Sequence, residues 1–244
     1  MIKTILSWFN RKRKDVDNIF LPVLNLIPSP SDERDYVVST SEPEVLPESY
    51  IIRDWEYKNQ GYLGSCSAFS ICNAFEISEN LKNKRKINLS ELFLWYNTRV
   101  SKSQNSGAVL RNVLQYAKDN GIAIETFWEY DQSKWDIEPS WSAYFSARYF
   151  RINNYFRILT RDELKKSILD DSPVIIGAYI YSNLLETDNG VVKRPTGQII
   201  GGHAMAVIGY SNDYAYVLNS WGDGVILFPW EIFDKLVFES WRIN

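Results

Sequence analysis

The sequence predicts a two-lobed α+β fold, in which a mainly helical half precedes a mainly antiparallel sheet half. Helical spacing of apolar residues dominates up to residue 120, and short runs rich in Tyr, Ile and Val dominate beyond residue 141. With 45% apolar and 15% aromatic residues, the 244-residue chain can bury a large core. Two packed lobes of this kind leave a natural cleft between them.

Three helices are expected in the first half. The first follows Gly64 and runs to the basic KNKRK at 82–86, where positive charges suit a helix C-terminus. The second covers 90–100, with Ser90 placed to cap it. The third covers 108–120 and is stopped by Gly121, because glycine favours the position just after a helix.

The second half reads as strands interrupted by one helix. Thr160 and Glu163 have the spacing of a capping box, which predicts the start of that helix. The predicted strands are ARYFRI (147–152), SPVIIGAYIY (172–181), GHAMAVIGY (202–210) and YAYVLNSW (214–221). We therefore divide the chain into an extension (1–45), a mainly helical lobe (46–140) and a mainly β lobe (141–244).

The extension begins with a short amphipathic pattern. Ile2, Ile5, Leu6 and Phe9 share one helical face ahead of four basic residues at 11–14, and a proline-rich segment at 21–47 follows. Two interpretations stay open, an arm docked on the body of the protein and a membrane-surface or targeting role. We prefer the first, because one short helix and four charges anchor a chain only marginally.

Composition excludes several classes of function. A net charge of −3 and a pI near 5.4 provide no field that gathers nucleic acid. One histidine and two cysteines cannot build a four-ligand zinc site, and neither a P-loop nor a dinucleotide glycine pattern is present. We therefore expect no metal and no cofactor.

The cysteines and the N-terminus predict an intracellular, cytoplasmic location. Cys66 and Cys72 lie six residues apart on one predicted helix and project from different faces, so we expect no disulfide. The basic cluster at 11–14 follows the apolar patch, which is the wrong order for a secretory signal. No apolar run approaches the ~18 residues of a membrane span.

Cys66 is the candidate nucleophile. It lies in NQGYLGSCSAFS (59–70), where a glycine-containing loop turns into a helix, so backbone N–H groups and the helix dipole favour its thiolate. Cys72, at helical spacing from two phenylalanines, is most simply a core residue.

A cysteine nucleophile needs an imidazole, and His203 in GGHAMAVIGY is the only histidine of the chain. A lone histidine on an apolar strand is more often structural. Asn219 in LNSWG could hold its ring, with Trp221 shielding that hydrogen bond, and Gln60 could supply an oxyanion donor together with the Cys66 N–H.

These three blocks resemble the signature blocks of the papain-like (C1 family) cysteine peptidases, in the order Gln, Cys, His, Asn. Further segments resemble the disulfide-poor branch of that family found in bacteria, archaea and large DNA viruses. The resemblance covers about 26–244 and implies the papain-like two-lobed fold, with a helical left lobe, an antiparallel barrel-like right lobe and the active site between them. The further segments are IPSPSDERDY (27–36), LPES (46–49), NSGAVLRNVLQYAKDNGI (105–122) and SPVIIGAYIY.

The resemblance implies a role for each matching residue. Cys66 would be the nucleophile, His203 the general base and acid, Asn219 the residue that orients the histidine, and Gln60 the oxyanion donor. A smaller group of residues would surround an extended polypeptide substrate: Gly64, Ser65, Ser106, Gly107, Gly202 and Trp221.

The sequence departs from the family at three places. Ser67 replaces an aromatic residue after the nucleophile, Leu63 replaces a disulfide cysteine, and DGVILFPW (223–230) stands where a second WG is expected. The chain has no other histidine, which argues against the histidine-bearing loop that makes some family members carboxydipeptidases, so endopeptidase activity is the expectation. Two interpretations of residues 1–45 stay open, an inhibitory prosegment over the cleft and a purely structural strap. The alternative is a silent interaction module or a permanently occluded zymogen of the same fold.

Overall fold

The computed structural model describes residues 23–33, 35, 45–183 and 185–244. The predicted amphipathic helix near the N-terminus lies outside these ranges and stays a prediction. Within them, no helix combines the length and apolarity needed to cross a membrane.

In the described residues the helical lobe contains four α-helices, and two of their predicted ends can be checked. Ser90 accepts a hydrogen bond from the Phe93 amide and so caps the second helix, as predicted. Gly121 takes φ = +84° directly after the third helix, a conformation that favours glycine. The helices are α1 (Cys66–Asn83), α2 (Glu91–Thr98), α3 (Leu110–Asp119) and α4 (Trp141–Ala147).

The β lobe contains a mostly antiparallel sheet and two more helices, α5 (Arg161–Leu169) and α6 (Trp230–Leu236). Thr160 and Glu163 form the predicted capping box of α5. The strands are β1 (Tyr50–Ile51), β2 (Tyr155–Arg157), β3 (Val174–Tyr181), β4 (Thr187–Asp188), β5 (Val191–Val192), β6 (Ile199–Tyr210), β7 (Tyr214–Leu218), β8 (Val225–Pro229) and β9 (Val237–Ile243).

Strand β6 is the central element of the sheet. The order is β2-β9-β3-β6-β7-β8-β5-β4, with β1 pairing to β6 as well. Strand β6 is twelve residues long and pairs antiparallel with β3 and β7. Among the described strands of the sheet, only β5 and β8 pair in parallel. Because α1 also packs on β6, the sheet places its His203 beside the start of α1.

The predicted strand at 147–152 is wrong. Residues 148–152 form no strand, and Ala147 ends α4 instead. Ser140 caps α4 by accepting from the Ala143 amide, and the helix packs through Ala143 and Ala147 against Phe93 of the helical lobe. The aromatic and β-branched residues of 147–152 favour a strand by propensity. Ala147 is instead the last residue of α4, and its small side chain packs with Ala143 against the helical lobe.

A buried charge cluster joins the chain ahead of α1 to the two first helices. The Lys58 ammonium lies 2.8 Å from a Glu76 carboxylate oxygen, contacts Glu91, and donates to Asn88 at 3.2 Å. Burial raises the pKa of Glu76 to about 7 against the opposing field of Lys58. The Lys58 cation therefore neutralises part of the charge of two carboxylates, Glu76 on α1 and Glu91 at the start of α2.

Replacing Lys58 by Met should destabilise the protein by about 3–5 kcal/mol at pH 8, because two carboxylates lose their buried cation. The Glu76 pKa is raised above its unfolded value, so the carboxyl is favoured in its protonated form and the loss should shrink as pH falls below 7. Urea unfolding at pH 6 and pH 8 measures both effects.

Lys86→Met is the matched control. Lys86 pairs with Glu56 at 2.8 Å, but the two side chains are 77% and 59% exposed. Its loss should cost less than about 1 kcal/mol. Equal effects of the two substitutions would contradict the structural role of Lys58.

Candidate active site

Cys66 begins α1 at the floor of the cleft between the lobes. It is 1% exposed, and its thiol contacts the backbone of Ser67 and of Ala204, the residue that follows His203. Cys66 and Cys72 are both free, and Cys72 is fully buried in the core, as expected. The structure thus brings the candidate nucleophile to the strand that carries the only histidine.

His203 is held by the predicted asparagine. Its Nε2 lies 2.8 Å from Asn219 Oδ1, and the imidazole stacks on Trp221 with ring centroids 4.4 Å apart. Asn219 Oδ1 also accepts from the Ser220 amide at 2.9 Å, so this atom is the carbonyl oxygen and Nε2 carries the proton. Among the described residues, nothing hydrogen-bonds Nδ1, which is left as the base.

Asp223 is a contact that the sequence did not predict. Asn219 Nδ2 donates to its carboxylate at 2.9 Å, which fixes the remaining end of the amide. The turn that carries Asp223 places Gly222 and Gly224 at φ = +83° and +76°. The departure from the family pattern at 223–230 therefore builds a tight turn behind Asn219 and continues into β8.

Gln60 is fully buried beside the site. Its Nε2 donates to the Leu63 carbonyl at 2.8 Å, and its Oε1 accepts from the Ser220 hydroxyl at 2.7 Å. An amide nitrogen carries two hydrogens, so one remains for an oxyanion. Ser220 therefore fixes which end of the Gln60 amide can donate.

Residues 23–28, which we name the cleft strap, lie across the site. The Leu26 amide donates to the Gly202 carbonyl at 3.2 Å, and the Ile27 amide donates to the Ala108 carbonyl at 3.0 Å. Leu26 is 4% exposed and belongs to the same apolar cluster as Cys66. The strap thus bonds to the residue before His203 on one lobe and to Ala108 on the other.

Glycines make room for the strap. A Cβ at Gly107 would overlap the Asn25 carbonyl, and one at Gly201 would overlap the Leu24 carbonyl. Gly202 faces Leu26 in the same way. The close approach of backbone to backbone therefore requires glycine at these positions.

Of the other predicted substrate residues, Gly64 faces the strap, whereas Ser65 and Ser106 are hydrogen-bonded to other residues of the protein. Gly64 faces the Asn25 side chain of the strap. Ser65 turns inward, 2.7 Å from the Tyr130 hydroxyl, and the Ser106 hydroxyl bonds back to Ser101. Ser106 and Gly107 are expected to bind the backbone of a substrate, and the strap bonds to the next residue, Ala108.

A polar anchor follows the strap. The Ser29 amide donates to Glu239 at 3.2 Å, and the Ser29 hydroxyl accepts from the Arg111 amide at 3.1 Å. The Arg111 guanidinium in turn forms a two-armed ion pair with Asp35. These bonds tie the extension to α3 and β9.

Burial reverses the expected charge state of the site. It raises the pKa of the Cys66 thiol to about 11, although backbone hydrogen bonds from Ala204 and Ser67 oppose it. It lowers the pKa of His203 to about 4, although the Asn219 contact opposes it. The backbone groups at the helix terminus favour the thiolate, as expected, but in this covered site desolvation outweighs them.

The ring tautomer of His203 can be checked directly, since the chain has one histidine. Long-range proton–nitrogen NMR of the histidine-labelled protein at pH 7 should show one neutral ring protonated at Nε2, because Asn219 Oδ1 can only accept. A ring protonated at Nδ1 would contradict the arrangement.

Comparison with known proteins shows the family of the chain. The family model of the papain family cysteine proteases matches residues 46–225. An uncharacterized peptidase C1-like protein of Acanthamoeba polyphaga mimivirus is 32% identical over 241 residues, which cover 91% of this chain and 70% of that protein. Cathepsin S of Bos taurus is 30% identical over 212 residues, 79% of this chain and 62% of that protein.

Solved structures share the fold. Xylellain, a cysteine protease from Xylella fastidiosa, has a TM-score of 0.83 at 24% identity and covers 95% of this chain and 99% of its own. Procathepsin B from Trypanosoma congolense has a TM-score of 0.73 at 17% identity, covering 100% and 98%. These similarities confirm the papain-like α+β fold, and the viral and bacterial relatives agree with the predicted branch. The chain therefore belongs to the papain family of cysteine proteases and is a cysteine peptidase.

Proposed function

We propose that the chain is an endopeptidase that works through Cys66, His203 and Asn219 and is made in a latent form. In this proposal residues 46–244 form the peptidase domain and residues 1–45 the inhibitory extension. The observation that carries it is the buried His203–Asn219 pair, since the Cys66 thiol contacts the backbone of the next residue, Ala204. Leu26 of the strap belongs to the same apolar cluster as Cys66. A polypeptide is the proposed substrate.

The proposed reaction has two steps. His203 Nδ1 takes the thiol proton as the Cys66 sulfur attacks the scissile carbonyl carbon, and Gln60 Nε2 and the Cys66 N–H stabilise the oxyanion. The carbon–nitrogen bond then breaks, and the imidazolium returns its proton to the leaving amine. Water, deprotonated by the same nitrogen, attacks the thioester and releases the acid and the free thiol.

Asn219 acts in both steps through the histidine. Its oxygen accepts from Nε2 at 2.8 Å, so the ring keeps its basic nitrogen unprotonated and in one orientation. Asp223, Trp221 and Ser220 each contact Asn219 or the ring. This support favours catalysis over the alternative of a silent module.

Latency is supported by the strap. A substrate needs the cleft edges at Gly202 and Ala108, and the strap occupies a carbonyl on each. The covered site also holds Cys66 and His203 in their neutral forms. Removal of the strap would return water to both groups and so move the pair towards thiolate and imidazolium.

An intracellular location remains part of the proposal. It is supported by two cysteines that are free and buried, which suits a reducing compartment.

Labelling with an epoxysuccinyl inhibitor tests the nucleophile. Intact mass should show one adduct on the parent chain and none on Cys66→Ala, because Cys72 is fully buried in the core. His203→Ala should lower peptide hydrolysis by at least about 10³-fold, since the base is lost. A folded parent chain and a folded Leu26→Asp variant that both fail to label and to cleave a peptide would instead establish the silent module.

Leu26→Asp in the full-length chain tests latency. A carboxylate buried at this position costs several kcal/mol, so the strap should leave the cleft and the labelling rate should rise at least about ten-fold.

Leu159→Asp serves as the control, because Leu159 is 63% exposed and distant in sequence from both strap and site. Its labelling rate should match that of the parent. Equal rates for the parent and Leu26→Asp would show that the strap is structural and not inhibitory.

A further inference from the structure

The Tyr130 hydroxyl joins the two ends of the loop that leads to the nucleophile. It donates to the Gln60 carbonyl at 2.8 Å. Its oxygen also lies 2.7 Å from the Ser65 hydroxyl. A phenol has one hydrogen, which is used on Gln60, so Ser65 is the donor in the second bond. The Tyr130 oxygen thus bonds both to Ser65, the residue before Cys66, and to Gln60, whose side-chain amide is the proposed oxyanion donor.

We propose that Tyr130 is a positioning residue that sets the spacing between the two oxyanion donors, Gln60 Nε2 and the Cys66 N–H. The inference rests on the proposed function, because it assigns these two donors to the oxyanion. Neither the family blocks nor the charge pattern of the sequence singled out this tyrosine. Its role comes from where the fold places its hydroxyl.

The loop needs such a link. Gly61 takes φ = +58°, so the chain turns sharply just after Gln60. The Gln60 amide donates to the Ser220 carbonyl of the other lobe at 2.9 Å. Ser65 belongs instead to the helical lobe, since its carbonyl accepts from Ala68 and Phe69 in the first turn of α1. The two donors therefore sit on parts of the chain that are fixed to different lobes.

Besides the two bonds of its hydroxyl, Tyr130 is held in place through its ring and its backbone amide. Its ring meets Phe69 of α1 edge to face, with centroids 4.8 Å apart, and its amide donates to a Glu125 carboxylate oxygen at 2.7 Å. Burial raises the pKa of the phenol, although the bond from Ser65 opposes this, so the hydroxyl stays a donor at every working pH. A fixed ring with a protonated hydroxyl is a rigid spacer.

The proposal separates two kinds of reaction at Cys66. Hydrolysis of a peptide ester or amide passes through an oxyanion and needs both donors at the right distance. Alkylation by iodoacetamide displaces iodide from carbon and forms no oxyanion, so it depends on the thiolate alone. Both reactions need the same uncovered sulfur, so their ratio is independent of how often the strap leaves.

Tyr130→Phe in the full-length chain is the test. It keeps the ring on Phe69 and removes only the hydroxyl. We expect kcat/KM for a peptide ester to fall about ten-fold, less than the 10²–10³ that loss of a whole donor costs. The iodoacetamide rate, at matched pH, should stay within about two-fold of the parent, which also reports that the site is folded.

Tyr144→Phe is the matched control, because its hydroxyl donates to Asn97 at 3.0 Å within the helical lobe. Both rates should equal those of the parent. Ser65→Ala should lower the same ratio, and its combination with Tyr130→Phe should cost less than the two changes multiplied, since both act through one oxygen.

The outcomes are distinguishable. An unchanged ratio in Tyr130→Phe, with an active parent, overturns the positioning role alone. Equal losses in both reactions also overturn it, since they show a general disturbance of the site. A parent chain that is alkylated at Cys66 but hydrolyses no ester overturns the proposed function, and the inference falls with it.

Discussion

The arrangement of the site depends on one constraint, that polar groups buried between the lobes must find partners. His203, Asn219 and Gln60 are all within 1% of complete burial, and each is bonded to a neighbour. Ser220 serves two of them, through its amide to Asn219 and through its hydroxyl to Gln60. Satisfying these bonds leaves each side chain one orientation, so the requirement for partners sets the catalytic geometry.

The same burial has an electrostatic effect. Water around Cys66 and His203 is replaced by apolar neighbours, Leu26 among them, and both groups are then more stable without charge. The helix terminus still supplies backbone N–H groups to the sulfur. The hydrogen bonds of the site can thus all be formed while the thiolate–imidazolium ion pair of Cys66 and His203 is still absent.

The sequence predicted the fold class, three helices of the first lobe and the family, because these depend on local periodicity and on short blocks around Cys66 and His203. It missed α4, whose small residues pack on Phe93 from distant positions. It also missed Asp223 and Tyr130, since nothing in their local sequence indicates that they meet Asn219 and Gln60. Each contact joins two residues within one lobe and arises only once that lobe has folded.

In the proposed latent form the inhibitor, the cleft strap, belongs to the chain that it covers, and this determines how it competes with other ligands. An intramolecular ligand acts at an effective concentration on the order of millimolar, whatever the amount of enzyme present. Dilution therefore leaves its occupancy unchanged. To displace the strap, a peptide or partner needs a concentration, relative to its own dissociation constant, above that of the strap relative to its own. A single cut between the strap and Val45 would turn the strap into a free ligand that diffuses away.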